Sequence, residues 1–120
     1  ASRQVYECTI DKSLVIKVEW ADSRQFSNVI EWDVWSCVKG TKFEKYFAPC
    51  VRISQNGNVL IMKKTEPMKK YPELIPAFFT DTKRANYGKY NNHFCCHDYG
   101  NNLLIEKGLT KRLVKADWWD

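Results

Sequence analysis

His93-Phe94-Cys95-Cys96-His97-Asp98 gathers two imidazoles, two thiols and a carboxylate in one short stretch. Three chemistries use such groups. A structural zinc site separates its ligands as Cys-x2–4-Cys, with a second pair well downstream. Here the thiols are adjacent and no Cys-x-x-Cys occurs, so neither a metal nor any other cofactor is expected. A Cys–His nucleophile draws its base from elsewhere in the fold, which argues against pairing Cys95 or Cys96 with His93 or His97. Acid–base cleavage of RNA needs two groups titrating near neutrality on either side of a phosphate. His93 and His97 are the only histidines, and Glu106 or Asp98 would supply a carboxylate. His93, His97 and Glu106 are therefore the catalytic candidates, although two exposed loop histidines account for the pattern more simply. Whether the protein is an enzyme stays open, leaning towards not.

Binding without chemistry draws on a larger set. The net charge of +5 is unevenly placed: residues 39–89 hold eleven basic and four acidic side chains, whereas residues 1–38 hold four and six. Lys63, Lys64, Lys69, Lys70, Lys83, Arg84 and Lys89 are interleaved with Tyr71, Tyr87 and Tyr90. Cations meet phosphates while tyrosines stack on bases. The same charge suits an anionic membrane surface or an acidic protein face, and a solvated lysine-rich surface needs no partner. No ribonucleoprotein box, zinc finger or glycine-rich phosphate loop is present. Of the five tryptophans, Trp20 and Trp32 are expected in the core, and Trp35 on the opposite, exposed face. Trp118-Trp119 is expected as a docking tail or partner patch, so Trp35, Trp118 and Trp119 form a candidate carbohydrate platform.

The elements that position these groups read as mostly β. Leu14, Ile16, Val18 and Trp20 alternate with Val15, Lys17 and Glu19, and Ile30, Trp32 and Val34 alternate with Glu31 and Asp33. Both predict strands with one buried face. Asn56-Gly57 suits a type I′ turn, predicting a hairpin of Val51–Gln55 with Asn58–Lys63 that pairs Ile53 with Leu60 and Val51 with Met62. Pro67, Pro72 and Pro76 exclude a central strand, and Pro72–Ile75 suits the start of a short helix. Residues 80–102 read as a long surface connection. Leu103–Ile105 is a predicted buried strand, and Leu109–Trp119 fits a helix or a terminal strand.

Cys8, Cys37, Cys50, Cys95 and Cys96 are too few for a disulfide scaffold but enough for one or two staples. Neighbours on a strand point to opposite faces, so Cys95 and Cys96 would reach different partners. This favours an oxidising compartment, hence secretion, with an odd thiol left over that would support a weak dimer. No apolar run is long enough to span a membrane. The polar start Ala1-Ser2-Arg3-Gln4 is not a signal peptide, and the missing initiator Met suits a mature or trimmed chain.

Tyr6-Glu7-Cys8, with the small size and basic charge, resembles the secreted effectors of powdery mildew fungi, whose mature regions begin with Tyr-x-Cys. That resemblance implies a ribonuclease-like α+β fold without catalytic groups, and recognition by a plant immune receptor. Lys89-Tyr90-Asn91-Asn92 is similar to the base-recognition stretch of guanine-specific microbial ribonucleases. In that family a catalytic Glu, Arg and His follow; here Glu106 and Arg112 follow, without a late His. The family's helix follows its first strand, where this chain alternates from Leu14 to Trp20, a pattern that β-sandwich effector folds accommodate.

The expected protein is thus a single α+β, β-dominated domain over 1–120, an antiparallel sheet with at most one or two short helices, stapled by disulfides. The expected function is that of a secreted, non-enzymatic, effector-like protein, a monomer or weak dimer, binding a host protein or RNA through its basic, Tyr-containing segment. The alternatives are a secreted ribonuclease and a carbohydrate- or protein-binding β-sandwich module.

Overall fold

A computed structural model of the chain describes residues 3–20, 22–100 and 108–120. Strands β1 (Arg3–Glu7) and β2 (Leu14–Glu19) form a hairpin, followed by helix α1 (Ser27–Val38) and the pair β3 (Cys50–Ile53) and β4 (Val59–Lys63). These strands make one antiparallel sheet in the order β1-β2-β4-β3, with α1 against one face. Two smaller antiparallel pairs complete the domain: β5 (Leu74–Pro76) with β8 (Leu113–Lys115), and β6 (Tyr87–Tyr90) with β7 (His93–Cys96). The architecture is β-dominated α+β, and a single core joins α1, the sheet and both smaller pairs.

The core is aromatic. Phe47 stacks on Phe78 at 5.8 Å between centroids, Phe79 meets Phe78 edge-on at 4.8 Å, and Tyr87 stacks on Phe94 at 5.3 Å. Trp118 closes this side against Tyr87 at 5.0 Å, its indole N–H donating to Pro72 O.

Residues 27–38 are helical, not the strand that the alternation of Ile30, Trp32 and Val34 predicts. The buried side chains Ser27, Asn28, Glu31, Val34, Trp35 and Val38 recur at helical spacing, but three of them are polar, so counting apolar residues conceals the stripe. Trp35 is consequently buried, and Trp20 is half-exposed beyond the end of β2.

Strand β2 is also turned over relative to expectation. Lys17 and Glu19 are its fully buried residues, and Ile16 and Val18 are only partly covered. The polar groups on the inner face of α1 cause this, because Lys17 and Glu19 complete their hydrogen bonds.

The β3–β4 hairpin forms and pairs Ile53 with Leu60, but a bulge at Val51 puts Cys50 opposite Met62. Its turn is not type I′. Gly57 alone has a positive φ there, and its N–H donates to Ser54 O, while Val59 O accepts from Ser54 N. The type I′ geometry occurs instead at Asn91-Asn92, with φ of 50° and 61°, joining β6 to β7 through the Tyr90–His93 pair. Asparagine tolerates this left-handed region better than other non-glycine residues.

The expected long connection at 80–102 therefore contains a hairpin. It is held close by Gly88, where a Cβ would lie 2.5 Å from Thr65 Oγ1 and 2.9 Å from Glu66 O. Pro72–Ile75 starts no helix: Leu74–Pro76 is the strand β5, paired on one side only, as its proline requires. The 109–119 segment resolves as a terminal strand. Leu103–Ile105 and Glu106 lie outside the described residues.

No disulfide joins any of the five cysteines, so the expected staple is not formed. Cys95 and Cys96 do face opposite ways on β7, but both sides of the hairpin are covered and both thiols are buried. Burial pushes the Cys50 and Cys95 thiols up to about 12. Cys8 is half-buried and Cys37 exposed.

Candidate functional site

The strongest electrostatic feature lies beneath the sheet. Glu31 is fully buried and accepts five hydrogen bonds. Arg3 grips both carboxylate oxygens (2.9 and 2.8 Å), Lys17 Nζ reaches Oε1 at 2.9 Å, and the backbone N–H groups of Tyr99 and Gly100 reach Oε2 at 2.8 and 3.1 Å. Burial alone would raise the pKa of this carboxyl, but Lys17 and Arg3 outweigh it and hold it at about 2. Arg3 also donates to Asn28 Oδ1 and Asp98 Oδ1, and Lys17 to His97 O. Glu19 takes the N–H groups of Ser27 and Asn28 at the start of α1, both at 2.9 Å. The network is satisfied internally and closed to substrate. Its role is to fix α1, β1 and the segment after β7 to one another.

The two histidines do not form a pair. His97 lies between Thr65 Oγ1, 2.7 Å from Nδ1, and Ala85 O, 2.7 Å from Nε2. A carbonyl only accepts, so Nε2 carries the proton and Nδ1 accepts from the threonine hydroxyl. Burial pushes His97 below its ordinary value, keeping this neutral form. With both nitrogens engaged, His97 braces the Arg84–Asn86 turn that precedes β6 against the Thr65 segment. His93 sits elsewhere, edge-on to Tyr46 at 5.3 Å, with Nδ1 donating to Phe94 O.

The predicted binding residues separate into four groups. Lys83 and Arg84 hold the chain's last residues: Lys83 Nζ lies 5.5 Å from the Trp119 ring centroid, and Arg84 pairs with Asp120 at 2.9 Å. Tyr87 is a core ring whose hydroxyl donates to Asp81 O, so it is closed to bases. Lys69 and Lys70 are exposed on a bend. Lys63, Lys64, Lys89 and Tyr90, by contrast, lie together.

These last four belong to a belt of shallow clefts, each sharing a side chain with the next. The first, about 340 Å³, is lined by Lys63, Lys64 and His97, and the second, about 290 Å³, by Lys64, Lys89, Tyr90, Asn91 and Asn92. Tyr90 and Asn91 continue into the third, about 200 Å³, with His93 and Lys45. Lys45 then enters the fourth, about 210 Å³, with Lys42, Tyr46 and Lys111. Lys17 aside, which Glu31 holds, six lysines line the belt against the carboxylates Asp98, Glu66 and Glu44. Asp98 is already engaged by Arg3, and Glu44 Oε1 accepts from Gly40 N. Lys64 pairs with Glu7 at 2.6 Å on the exposed surface, an interaction weak enough for a phosphate to displace.

Lys42, Lys45 and Lys111 are not among the residues that sequence alone singles out. A signal for two of them is present: Lys42-Phe43 and Lys45-Tyr46 each set a cation beside an aromatic ring, and both ammonium groups lie 5.4 Å from the ring centroid. The expected carbohydrate platform of Trp35, Trp118 and Trp119 does not form: Trp35 is core, Trp118 is partly buried and Trp119 is half-exposed under Lys83. Among the described residues no group of three or more His, Cys, Asp or Glu side chains is arranged to hold a metal ion, and no helix is long and apolar enough to cross a membrane. Comparison with protein-family models, curated proteins and solved structures gives no match.

Proposed function

We propose that this protein is a non-enzymatic binder of single-stranded RNA, and that the strand follows the cleft belt around the β6–β7 hairpin. The observation that carries the reading is the sharing of Lys64, Tyr90, Asn91 and Lys45 between successive clefts, which makes the lysines a track rather than scattered charges. Backbone phosphates release counterions on meeting such a track. Tyr90, His93 and Tyr46 offer ring surface along it for unstacked bases, as single strands require. The tip asparagines add amide donors and acceptors beside Tyr90. The resemblance at Tyr6-x-Cys8 would make the protein a secreted effector and the strand a host RNA.

The test is fluorescence anisotropy of a labelled mixed-sequence RNA over a salt series, with the same samples run on gels. Affinity is expected to fall steeply with salt. Lys64→Ala and Lys89→Ala should each weaken binding and lower the logarithmic salt slope by about 0.7, the single-strand value for one phosphate contact. Lys69→Ala and Lys70→Ala, away from the clefts, should change neither. Salt-independent binding, or variants at Lys64 and Lys89 that bind like the parent, would refute the belt. RNA cleavage lost in His93→Ala would replace this reading with catalysis.

A further inference from the structure

Lys42 and Lys111 lie far apart in the chain, yet both line the fourth cleft, together with Lys45 and Thr110. No salt bridge among the described residues joins any of these three lysines to a carboxylate. The neighbouring Lys111 ammonium pushes Lys42 below the ordinary lysine value. Three lysines around one cleft without a carboxylate partner are an unusual use of surface charge, since like ammonium groups repel and exposed lysines are free to swing apart. Here the Phe43 ring under Lys42 and the Tyr46 ring under Lys45 restrain the stems. Thr110 Oγ1 accepts from Arg112 N at 3.2 Å, which leaves the hydroxyl proton as a donor.

We infer that this cleft is a binding site for a phosphate monoester dianion. A group carrying two negative charges and three terminal oxygens converts the repulsion between Lys42 and Lys111 into two charge-assisted hydrogen bonds, with Lys45 and the Thr110 hydroxyl free for the remaining oxygens. A phosphodiester carries one charge and two terminal oxygens and leaves part of the repulsion uncompensated. The site needs no polymer, so it goes beyond the strand reading and stands or falls separately from it.

The experiment is an NMR titration of the whole protein with inorganic phosphate at pH 7.5, with sodium chloride of matched ionic strength as the reference. Saturable shifts of the Thr110, Lys111 and Lys42 amides are expected with phosphate and not with chloride. Lys42→Ala and Lys111→Ala should each weaken that binding about tenfold or more, the value of one lost charge-assisted contact. Lys64→Ala should leave it unchanged. Shifts equal to those in chloride, or saturable shifts that neither the Lys42 nor the Lys111 variant weakens, would overturn the site. RNA lacking terminal phosphates separates the two readings: if it binds while phosphate does not, the strand track stands and the monoester site fails.

Discussion

Glu31→Gln probes the buried network with almost no change of shape. The carboxyl is held at about 2 against an ordinary value of 4.5. At about 1.4 kcal/mol for each pH unit, that difference corresponds to about 3 kcal/mol of folding stability at neutral pH. The figure agrees with the roughly 3–5 kcal/mol cost of removing one partner from a buried ion pair. The direction with pH follows from the depressed value. The contribution is complete above the unfolded-state pKa of 4.5 and is lost as pH falls towards the folded-state value of about 2. Urea unfolding followed by tryptophan fluorescence at pH 7, 5, 4 and 3 measures both aspects. The variant should unfold at about 3 kcal/mol less at pH 7, and its deficit should shrink on acidification, because Glu31 of the unfolded parent takes up a proton that folding must then release. A deficit under about 1 kcal/mol at pH 7, or one that stays constant down to pH 3, would refute the assignment of Glu31 as an ionised carboxylate held by Arg3 and Lys17.

Phe26 precedes α1 in the left-handed region, at φ 54°, with 62% of its surface exposed. Phe26→Asn should therefore raise stability by about 1 kcal/mol, seen as a higher urea midpoint; a lower midpoint would show that the ring is held by packing. Gly88→Ala should cost about 1–3 kcal/mol, because the added Cβ meets Thr65 Oγ1 and Glu66 O, and thermal unfolding of a variant as stable as the parent would contradict that approach. His97 should keep its Nε2–H form on acidification past its ordinary value of 6.5, with burial as the cause. Because its folded-state value is lowered, the stability it contributes is full above 6.5 and lost as pH falls through the lower value; NMR titration of the imidazole at or above 6.5 would count against the brace. Cys95 and Cys50 should resist alkylation in the folded protein while Cys37 reacts, and mass spectrometry after a short iodoacetamide pulse reads the difference.

How far the sequence could be read depended on whether an element is held by apolar or polar contacts. Strand β2 and the Ile53–Leu60 pairing follow from apolar periodicity and a turn signal. Helix α1 escapes because its inner face carries Ser27, Asn28 and Glu31, whose partners Glu19, Lys17 and Arg3 come from other elements. The same exchange of polar for apolar contacts hides which face of β2 is inside. Two asparagines at 91 and 92 make the tightest hairpin turn, while the stronger-looking Asn56-Gly57 makes a wider one. At the candidate site, Lys63, Lys64, Lys89 and Tyr90 were legible from composition. Lys42, Lys45 and Lys111 meet only through tertiary folding, which charge density along the chain does not report.

Glu31 also sets a clock on biosynthesis. Its partners are separated from it by 28 residues at Arg3 and 14 at Lys17, but by 68 and 69 at Tyr99 and Gly100. A ribosome adding about 5–20 residues per second needs roughly 3–14 s to pass from the helix to those last two donors. Through that interval α1 can exist locally, but its central carboxylate cannot be sealed from water, so the nascent chain is kept from early closure around an incomplete core. A chain stalled before Tyr99 would hold both arginine and lysine partners and still lack the two N–H groups that finish the site. The cooperative step therefore waits until β7 and the Tyr99-Gly100 donors have emerged, and nascent fragments shorter than that are the forms most exposed to proteases and chaperones.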